Sequence, residues 1–334
     1  MTQVRESLVA LKISVVVPTY RRPRLLRACL DGLLCQTRLP DEVVVVYRES
    51  DGETASVLKG FDQRVARVLV KEPGQVAALR AGVNASTGNA VAFLDDDAVP
   101  RPSWLESISE AFARTDAAAV GGRDVVHHGE VIEGGCARVV GRLLWYGKAH
   151  GNHHLGCGLP RRVDFLKGCN SAYRREVLSL PMGLLGRGAQ VGNDMATSLA
   201  VSQAGWTVLY DPSIVVDHHS GQRFDSDSRD GKSRQAADDA VFNLCYTVGS
   251  LAGNSLSVRY LLYHVVIGDA TSPGILRSVL AYLKNERAVK GRFCSTQRAM
   301  LLGYVASRRR PLEMWRAPLV CDASDEVPSE GRRD

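Results

Sequence analysis

Three consecutive aspartates, Asp95, Asp96 and Asp97, follow the apolar run Ala90–Leu94 and are closed by Pro100. If the extended geometry of a strand persists, the first and third side chains lie on the same side. Converging carboxylates repel each other unless a cation neutralises them, and hard divalent ions such as Mg²⁺ and Mn²⁺ prefer such oxygen ligands. The aspartates therefore indicate a cation site that leaves positions open for phosphate oxygens. A solvent-exposed acidic turn is the alternative.

The elements that position these aspartates alternate between strand and helix patterns over the first 120 residues. The strands are uniformly apolar, which predicts an α/β fold with a largely parallel sheet and helices on both faces. Ligands bind outside the carboxyl ends of the strands in such sheets, so we expect the chemistry in the loops PTYRRP, YRESDG and DDDAVP. We predict strands at residues 13–17, 43–46, 65–70, 90–94 and 117–120, and helices from residue 23, at 75–83 and at 102–114.

The later part of the chain divides into an irregular region and a helical region. We expect loops and irregular strands at residues 121–162, a strand, a turn and a helix start at 165–178, and a helix from Asp194 that is followed by a strand. Residues 236–290 have mostly helical patterns. The predicted division is an α/β domain at 1–224, a mainly helical extension at 225–320 and a disordered tail at 321–334.

The composition indicates a soluble globular protein, with 45% hydrophobic and 23% charged residues among 334. The N-terminal apolar run is interrupted by Lys12 and lacks a small-residue cleavage site, which argues against a secretory signal. No run of 18 apolar residues indicates a spanning helix. The formal charge is +6, and the basic residues concentrate at 290–316. That pattern suits an anionic membrane surface or nucleic acid, and a solvated helix face is the alternative.

The eight cysteines are scattered, so we predict reduced thiols in a cytoplasmic protein rather than a disulfide framework. His150, His153, His154 and Cys157 could ligate zinc in principle. They lack a second ligand pair at regular spacing, and a loop rich in solvated histidines is the alternative.

Four segments resemble, in order and spacing, the signature of family 2 glycosyltransferases with a GT-A fold. They are ISVVVPTYRRPRLLRACLDGLLCQT, GNAVAFLDDDAVPRPSWLE, KGCNSAYRREVL and GND…AGWTVLYDPSIVVDHH, over roughly residues 12–220. The resemblance implies a Rossmann-like, mostly parallel sheet flanked by helices, with a helical C-terminal extension. It also implies inverting sugar transfer from a nucleotide-diphosphate sugar with a divalent cation.

The resemblance implies a donor site built from the loops after the early strands. The first loop would pack around the nucleotide base, and the DxD-type aspartates would bind the sugar–ribose part of the donor and the metal on its diphosphate. Tyr47 and Arg48 stand where the family usually has an acid, so we assign base reading to Glu49 or Asp51 in a shifted loop. The implied donor-binding residues are Pro18, Thr19, Tyr20, Glu49, Asp51, Arg80, Asp95 and Asp96. The implied metal ligands are Asp97, Asp95 and His218, with a structural role as the alternative for the histidine.

The resemblance also implies a catalytic base and an acceptor pocket. Asp194 matches the acid of the family's ED motif, which deprotonates the acceptor hydroxyl as it attacks the anomeric carbon. The dipole of the predicted helix would favour its carboxylate form, and a plain N-cap is the alternative role. Gly168, Cys169 and Asn170 match a turn that lines the donor-sugar and acceptor pocket, and Asn193 lies beside the base.

These features predict an inverting glycosyltransferase that uses Mg²⁺ or Mn²⁺ and acts on a glycan, lipid-linked or natural-product hydroxyl, in cell-envelope polysaccharide synthesis. We expect a cytoplasmic protein with peripheral contact at the inner face of the membrane through the basic C-terminal segment, and no nucleic-acid partner. A nucleotidyltransferase is one alternative, although the first loop lacks the glycines that such enzymes usually carry. An inactive nucleotide-sugar or glycan-binding module is the other.

Overall fold

A ten-stranded sheet lies at the centre of the protein, as seen in a computed structural model that describes residues 11–61, 64–225, 233–284 and 292–320. Its strands are β1 (Ile13–Pro18), β2 (Glu42–Arg48), β3 (Ala66–Val70), β4 (Ala90–Leu94), β5 (Ala98–Pro100), β6 (Ala117–His128), β7 (Val131–Ile132), β10 (Arg161–Arg162), β11 (Asn170–Arg174) and β13 (Thr207–His218). Two smaller sheets pair β8 (Arg142–Leu143) with β9 (Ala149–His150), and β12 (Ser179–Pro181) with β14 (Met314–Arg316).

The large sheet has the order β10–β13–β6–β11–β4–β1–β2–β3, with β5 beside β13 and β7 beside β6. β1 pairs in parallel with β2 and β4, β2 with β3, and β13 with β6, whereas β11 runs antiparallel between β4 and β6. The predicted early strands are confirmed to within a residue at their starts, and β6 continues beyond the predicted end to His128. The carboxyl ends of β1, β2 and β4 therefore meet at one edge.

The helices cover both faces of the sheet, as predicted. In β1, Val15 and Val17 pack in the hydrophobic cluster that contains Leu26, whereas Val16 packs in the cluster that contains Leu79. The alternation follows from the two-residue period of a strand. The described helices are α1 (Pro23–Leu34), α2 (Gly52–Leu58), α3 (Gln75–Ala85), α4 (Trp104–Arg114), α5 (Asn193–Gln203), α6 (Arg234–Leu251), α7 (Asn254–Val266), α8 (Ile275–Leu283) and α9 (Phe293–Arg309).

Helices α6 to α9 form the predicted helical part, although residues 226–232 and 285–291 lie outside the described ranges. α9 packs so closely along α6 that a Cβ on Gly303 would lie 2.5 Å from the carbonyl oxygen of Phe242. β14 then pairs antiparallel with β12, which returns the chain to the α/β part. The boundary at residue 224 stays a prediction, and the predicted disordered tail at 321–334 lies outside the described residues.

Within the described ranges, no helix combines the length and the apolar character needed to span a bilayer.

Cys136 and Cys157 are joined by a disulfide with a Cα–Cα distance of 5.4 Å. The prediction of reduced thiols is therefore wrong for this pair, which lies 21 residues apart in the chain. Backbone pairing brings them together, since the Ala137 N–H donates to the Leu155 carbonyl at 2.7 Å.

The histidines near this disulfide do not fit a zinc site. Cys157 is consumed by the disulfide, and a ring nitrogen of buried His153 lies 3.1 Å from the Phe165 carbonyl. His154 pairs with Glu133 at 3.2 Å. These side chains therefore have structural partners within the described part of the chain.

Asn170 has a structural position rather than the predicted pocket position. It is 1% exposed, and its Nδ2 donates to the carbonyls of Arg123 and Ile214 at 3.1 and 2.9 Å. Its Oδ1 accepts from the Trp104 indole at 2.8 Å. The Ile214 carbonyl needs this donor because β13 has a register shift between Asp211 and Val215, where the ladder is interrupted.

We predict that Asn170→Ala lowers the free energy of unfolding by about 3 kcal/mol, because it leaves three buried polar groups without a partner. Urea denaturation measures the change. The control is Ser213→Ala, which removes an exposed hydroxyl bonded to Asp211 and should stay close to wild type. Wild-type stability with lost activity would instead support the pocket role.

The turn between α7 and α8 depends on Asp269. Its Oδ1 accepts the N–H groups of Thr271 and Ser272 at 2.8 Å each, and its Oδ2 lies 3.7 Å from His264. Although burial acts in the opposite direction, His264 and the two N–H groups lower the pKa of Asp269 below 3.8. The carboxylate therefore stabilises the folded state at neutral pH.

We predict a pH-dependent stability loss in Asp269→Asn. Because the folded-state pKa is lowered, the stabilisation is present above pH 3.8 and is lost as the pH falls through the folded-state value. The difference in unfolding free energy between wild type and variant should therefore shrink as the pH falls below about pH 4. Denaturant titrations at several pH values measure it, and a constant difference down to pH 2 would contradict the ion-pair account.

Candidate active site

A cleft opens at the edge of the sheet where β1, β2 and β4 end. Its cavity volume is about 120 Å³. Its lining includes Pro18, Thr19, Tyr20, Arg22, Arg48, Gly74, Gln75, Asp95, Asp97, Arg223 and Phe224. Loops after three parallel strands thus meet with residues from the start of α3 and from the segment after β13.

One wall of the cleft is aromatic and cationic. The Arg48 guanidinium lies 4.0 Å from the centre of the Tyr20 ring, and Phe224 meets the same ring edge-on at 6.4 Å. Both terminal guanidinium nitrogens of Arg48 also bond Asp225, which lines the same cleft, at 2.9 Å. The arrangement presents a flat surface that suits a nucleotide base.

The aspartates divide between the cleft and the interior. Asp95 and Asp97 line the cleft, and Asp95 accepts from Gln75 Nε2 at 3.2 Å. Asp96 is 0% exposed, accepts from the Thr19 hydroxyl at 2.6 Å and pairs with Arg22 at 2.6 Å. A donor-binding role for Asp96 therefore does not fit, because its carboxylate is turned into the interior and is used by these two partners.

Arg22 is the cation that holds the aspartates together. It bonds Asp96 and also Asp97, whose Oδ2 lies 2.9 Å away and additionally accepts the Gly221 N–H at 2.8 Å. Burial raises the pKa of Asp96 to about 7, against the opposing effect of Arg22. Burial, followed by the charge of Asp97, also raises the pKa of Asp95. Burial acts to raise the pKa of Asp97 as well, but His218 and Arg22 prevail and lower it. Asp95 is therefore the cleft carboxylate whose charge the protein stabilises least.

A divalent cation fits this donor set. Asp95 and Asp97 present carboxylate oxygens to one cleft, which is the ligand type that Mg²⁺ and Mn²⁺ prefer. These two residues would hold the ion between the protein and a diphosphate.

His218 belongs to a buried charge chain that reaches Asp97. Its Nε2 lies 3.3 Å from Asp97 and its Nδ1 lies 3.6 Å from Asp124, which in turn pairs with Lys167. Burial lowers the pKa of His218, but the contacts with Asp124 and Asp97 prevail and raise it to about 9. The predicted role of His218 as a metal ligand stays a prediction.

Asp124, Cys169 and His218 also lie close enough to share an ion, with ligand atoms within 4.8 Å. Lys167 already pairs with the Asp124 carboxylate, and burial raises the pKa of the Cys169 thiol well above 9.0. Cys169, predicted in the acceptor pocket, is buried beneath it, at 2% exposure.

Asp194 lies near the first turn of α5 beside a second, smaller pocket. Its Oδ2 accepts the Gly168 N–H at 3.2 Å and its Oδ1 accepts the Met195 N–H at 2.8 Å. The N-cap of α5 is Gly192, so Asp194 does not have the alternative role of a plain N-cap. Gly168 and Asn193 line the same pocket, and their predicted roles stay predictions.

Gln75 connects the two pockets and was not found from the sequence. It donates to Asp95, and its Oε1 lies 3.4 Å from Asn193 Nδ2. Gln75 lines both the large cleft and the small pocket. Its position at the start of α3, facing the ends of the strands, could have identified Gln75 from the sequence, where Arg80 on the same helix was assigned instead.

Three other predicted donor-binding residues have different surroundings. Arg80 pairs with Glu72 at 3.2 Å, so the α3 residues in the cleft are earlier ones. Asp51 is 3% exposed and caps α2, where its oxygens accept from Thr54 and from the Arg21 N–H. Glu49 lies exposed in the turn after β2. These three residues lie outside the set that lines the cleft, and Arg48, the last residue of β2, lines it instead.

Comparison with known proteins identifies the family. The family model described as glycosyltransferase like family 2 matches residues 11–235, which is about two thirds of the chain. The chain belongs to the family 2 glycosyltransferases. The predicted family and the predicted enzyme class, a glycosyltransferase, are thereby confirmed.

Relatives and solved structures agree with this family. An uncharacterized glycosyltransferase of Nostoc sp. is 32% identical over 128 residues, which are 37% of this chain and 38% of that protein. The glucosyl-dolichyl phosphate glucuronosyltransferase of Haloferax volcanii is 33% identical over 118 residues, 34% of this chain and 38% of the relative. The match thus spans well under half of these relatives' own length.

The fold is also found in a solved glycosyltransferase. The mannosyltransferase PcManGT from Pyrobaculum calidifontis, solved with GDP-Man and Mn²⁺, has a TM-score of 0.51 and 16% identity, and the likeness covers 90% of this chain and 87% of that one. This family 2 glycosyltransferase therefore has the predicted GT-A fold.

We predict that Asp95→Asn and Asp97→Asn each weaken Mn²⁺ binding by at least about tenfold, since even outer-shell substitutions at metal sites cost roughly 10–100-fold in affinity. Thermal shift with increasing Mn²⁺ in the presence of a nucleoside diphosphate measures the affinity. The matched control is Asp116→Asn, whose carboxylate is 69% exposed and distant from the cleft. An unchanged Mn²⁺ dependence in both cleft variants would rule out this ligand pair.

Proposed function

We propose that this family 2 glycosyltransferase is an inverting enzyme that transfers a sugar from a nucleotide-diphosphate sugar to a hydroxyl acceptor. The observation that carries the proposal is the pairing of two pockets. Asp95 and Asp97 face the first pocket, Asp194 faces the second, and Gln75 lines both. A donor phosphate and an acceptor hydroxyl could therefore lie side by side.

The large cleft would take the donor. Tyr20 and Arg48 would pack against the base, and Arg223 in the same lining would add positive charge near the phosphates. A Mg²⁺ or Mn²⁺ ion held by Asp95 and Asp97 would supply Lewis-acid stabilisation of the diphosphate as it leaves. The Arg22 pairs keep the aspartate loop in one conformation before the donor arrives, which lowers the cost of ordering the site.

Asp194 would act as the base. The Gly168 N–H holds one carboxylate oxygen, and the Met195 N–H holds the other. The carboxylate would take the proton of the acceptor hydroxyl as the oxygen attacks the anomeric carbon in line. The new glycosidic bond then forms on the face opposite the departing diphosphate, so the anomeric configuration is inverted.

The acceptor is proposed as a glycan, a lipid-linked sugar or a natural-product hydroxyl in cell-envelope synthesis. The name of the Haloferax relative, a glucosyl-dolichyl phosphate glucuronosyltransferase, favours a lipid-linked acceptor. The match covers only part of that relative. Such an acceptor would place the enzyme at the cytoplasmic face of a membrane. Disulfides are uncommon in reducing compartments. A Cys136–Cys157 disulfide that is formed in the cell would therefore argue against the cytoplasmic face, and reduced cysteines would agree with it.

We predict that Asp194→Asn lowers kcat by about 10²–10⁴-fold, as expected for removal of a general base, and leaves donor affinity within about threefold because the side-chain shape is kept. Turnover is followed as release of nucleoside diphosphate from a panel of sugar donors and acceptors, and affinity by calorimetry. Asp31→Asn, exposed on α1, is the control for a lost charge.

Four results would overturn the proposal. Turnover that survives in Asp194→Asn would show that Asp194 is not the base, and a product with retained anomeric configuration would exclude the inverting mechanism. Release of pyrophosphate from a nucleoside triphosphate and a sugar phosphate would indicate a nucleotidyltransferase. Tight donor binding without turnover toward any acceptor would indicate a binding module.

A further inference from the structure

Helix α8 turns its apolar side to solvent. Ala281 is 3% exposed, whereas six hydrophobic residues of this nine-residue helix are between 48% and 74% exposed. At 100° per residue these six span an arc of about 160° on one side of the helix. They are Ile275, Leu276, Val279, Leu280, Tyr282 and Leu283. The pattern is the reverse of a surface helix that buries its apolar face against the core.

Helix α7 extends this apolar face. Val258, Leu262 and Val266 follow one another at intervals of four residues and are 41–55% exposed. The surface is held firmly, because Gln297 on α9 donates to the carbonyls of His264 and Pro273 at 3.3 and 3.1 Å. The exposed side chains therefore belong to an ordered platform.

Aromatic residues from the β8–β9 hairpin border the same platform. Trp145 is 73% exposed and meets Tyr146 at 5.5 Å, and Tyr146 contacts Tyr263 on α7 at 5.7 Å. The hairpin fits tightly on α7, since a Cβ on Gly147 would lie 2.5 Å from the Arg259 carbonyl oxygen. Tryptophan and tyrosine are the residues that favour the boundary between lipid and water.

The charge of this region is positive. Residues 254–284 contain Arg259, Arg277 and Lys284 against a single acid, Asp269, which pairs with His264. Arg277 and Lys284 are exposed on or directly after α8. An apolar face with aromatic borders and basic neighbours complements an anionic lipid surface.

We propose that the surface formed by α8, the exposed side of α7 and the Trp145 hairpin, here called the α7–α8 surface, docks on an anionic bilayer. This surface differs from the basic segment expected from the sequence, since much of α9 packs along α6. Leu143, Tyr260 and Met195 form one hydrophobic cluster behind the surface. Docking would thus bring the bilayer close to the start of α5, a consequence that matters only if the proposed function is correct.

Sedimentation with vesicles tests the docking. Wild type should bind phosphatidylcholine vesicles that contain phosphatidylglycerol and should bind pure phosphatidylcholine at least tenfold more weakly. Leu280→Glu should reduce binding to the anionic vesicles more than tenfold, because it places a carboxylate in the apolar face. Leu159→Glu is the matched control, since Leu159 is 81% exposed on another surface and Leu280 is 57% exposed. Reversal of Arg277 and Lys284 to Glu should weaken binding by about fivefold for each residue.

Tryptophan fluorescence tests the orientation. Addition of the anionic vesicles should shift the emission of wild type to shorter wavelength, and Trp145→Phe should remove that shift. Trp206→Phe is the control, because Trp206 is 49% exposed before β13 and lies outside the α7–α8 surface. A shift that persists in Trp145→Phe and disappears in Trp206→Phe would place the contact on a different surface.

Other outcomes would overturn the proposal. Wild type that ignores anionic vesicles, or Leu280→Glu that binds them like wild type, would exclude lipid as the occupant. A wild-type dimer that Leu280→Glu converts to monomer, without vesicle binding, would show that a second copy covers the surface. Asp194→Asn should bind vesicles as wild type does, so failure of the catalytic proposal and failure of docking give different results.

Discussion

The balance of charge around Arg22 is the constraint on which the rest of the site depends. Its guanidinium lies 2.6 Å from Asp96 and 2.9 Å from Asp97, and the carboxylates are almost fully removed from water. Without this shared cation, two neighbouring buried carboxylates would be protonated or forced apart. Arg22 immediately precedes α1, so the same ion pairs tie the loop after β1 to the loop after β4.

Two polar chains extend from the aspartates to the other parts of the site. Gln75 joins Asp95 to Asn193 at the start of α5, and His218 joins Asp97 to Asp124. Because each link is buried or half-buried, a change at one residue leaves the next without a partner and costs more than its own bond. The site is therefore one connected network, in which the residues that would contact a ligand are held in place by the residues next to them.

The C-terminal helices have a second relation to the site, through packing. Met195, which follows Asp194, lies in one hydrophobic cluster with Val241 of α6, Tyr260 of α7 and Met300 of α9. The first turn of α5 thus rests on helices that lie outside the α/β part of the chain. The α7 part of the proposed docking surface thus shares a hydrophobic cluster with the residue that follows the proposed base.

The local patterns of the sequence were sufficient to predict the early strands and helices and the edge of the sheet at which the cleft lies. Apolar runs predicted β1, β2, β4 and the start of β6, helical spacing predicted α1 and α3, and the loops PTYRRP and DDDAVP were expected at the ligand-binding edge. These features depend on neighbours within a few residues, on strand and helix periods, and on the rule that parallel strands end at a common edge. The order of the four motifs was sufficient for the family.

Only the tertiary structure decided which side chains meet. Arg22 and Asp97 are 75 residues apart, the disulfide joins cysteines 21 residues apart, and Asn170 serves carbonyls on two other strands. The pairing of β1 with β4 brings Arg22 to the aspartates, and the insertion of antiparallel β11 between β4 and β6 brings Asn170 to its carbonyls. No local pattern encodes that strand order. The outward apolar face of α8 has the same cause. Its spacing identifies an amphipathic helix, but the side that is left to solvent depends on where packing against the rest of the molecule ends.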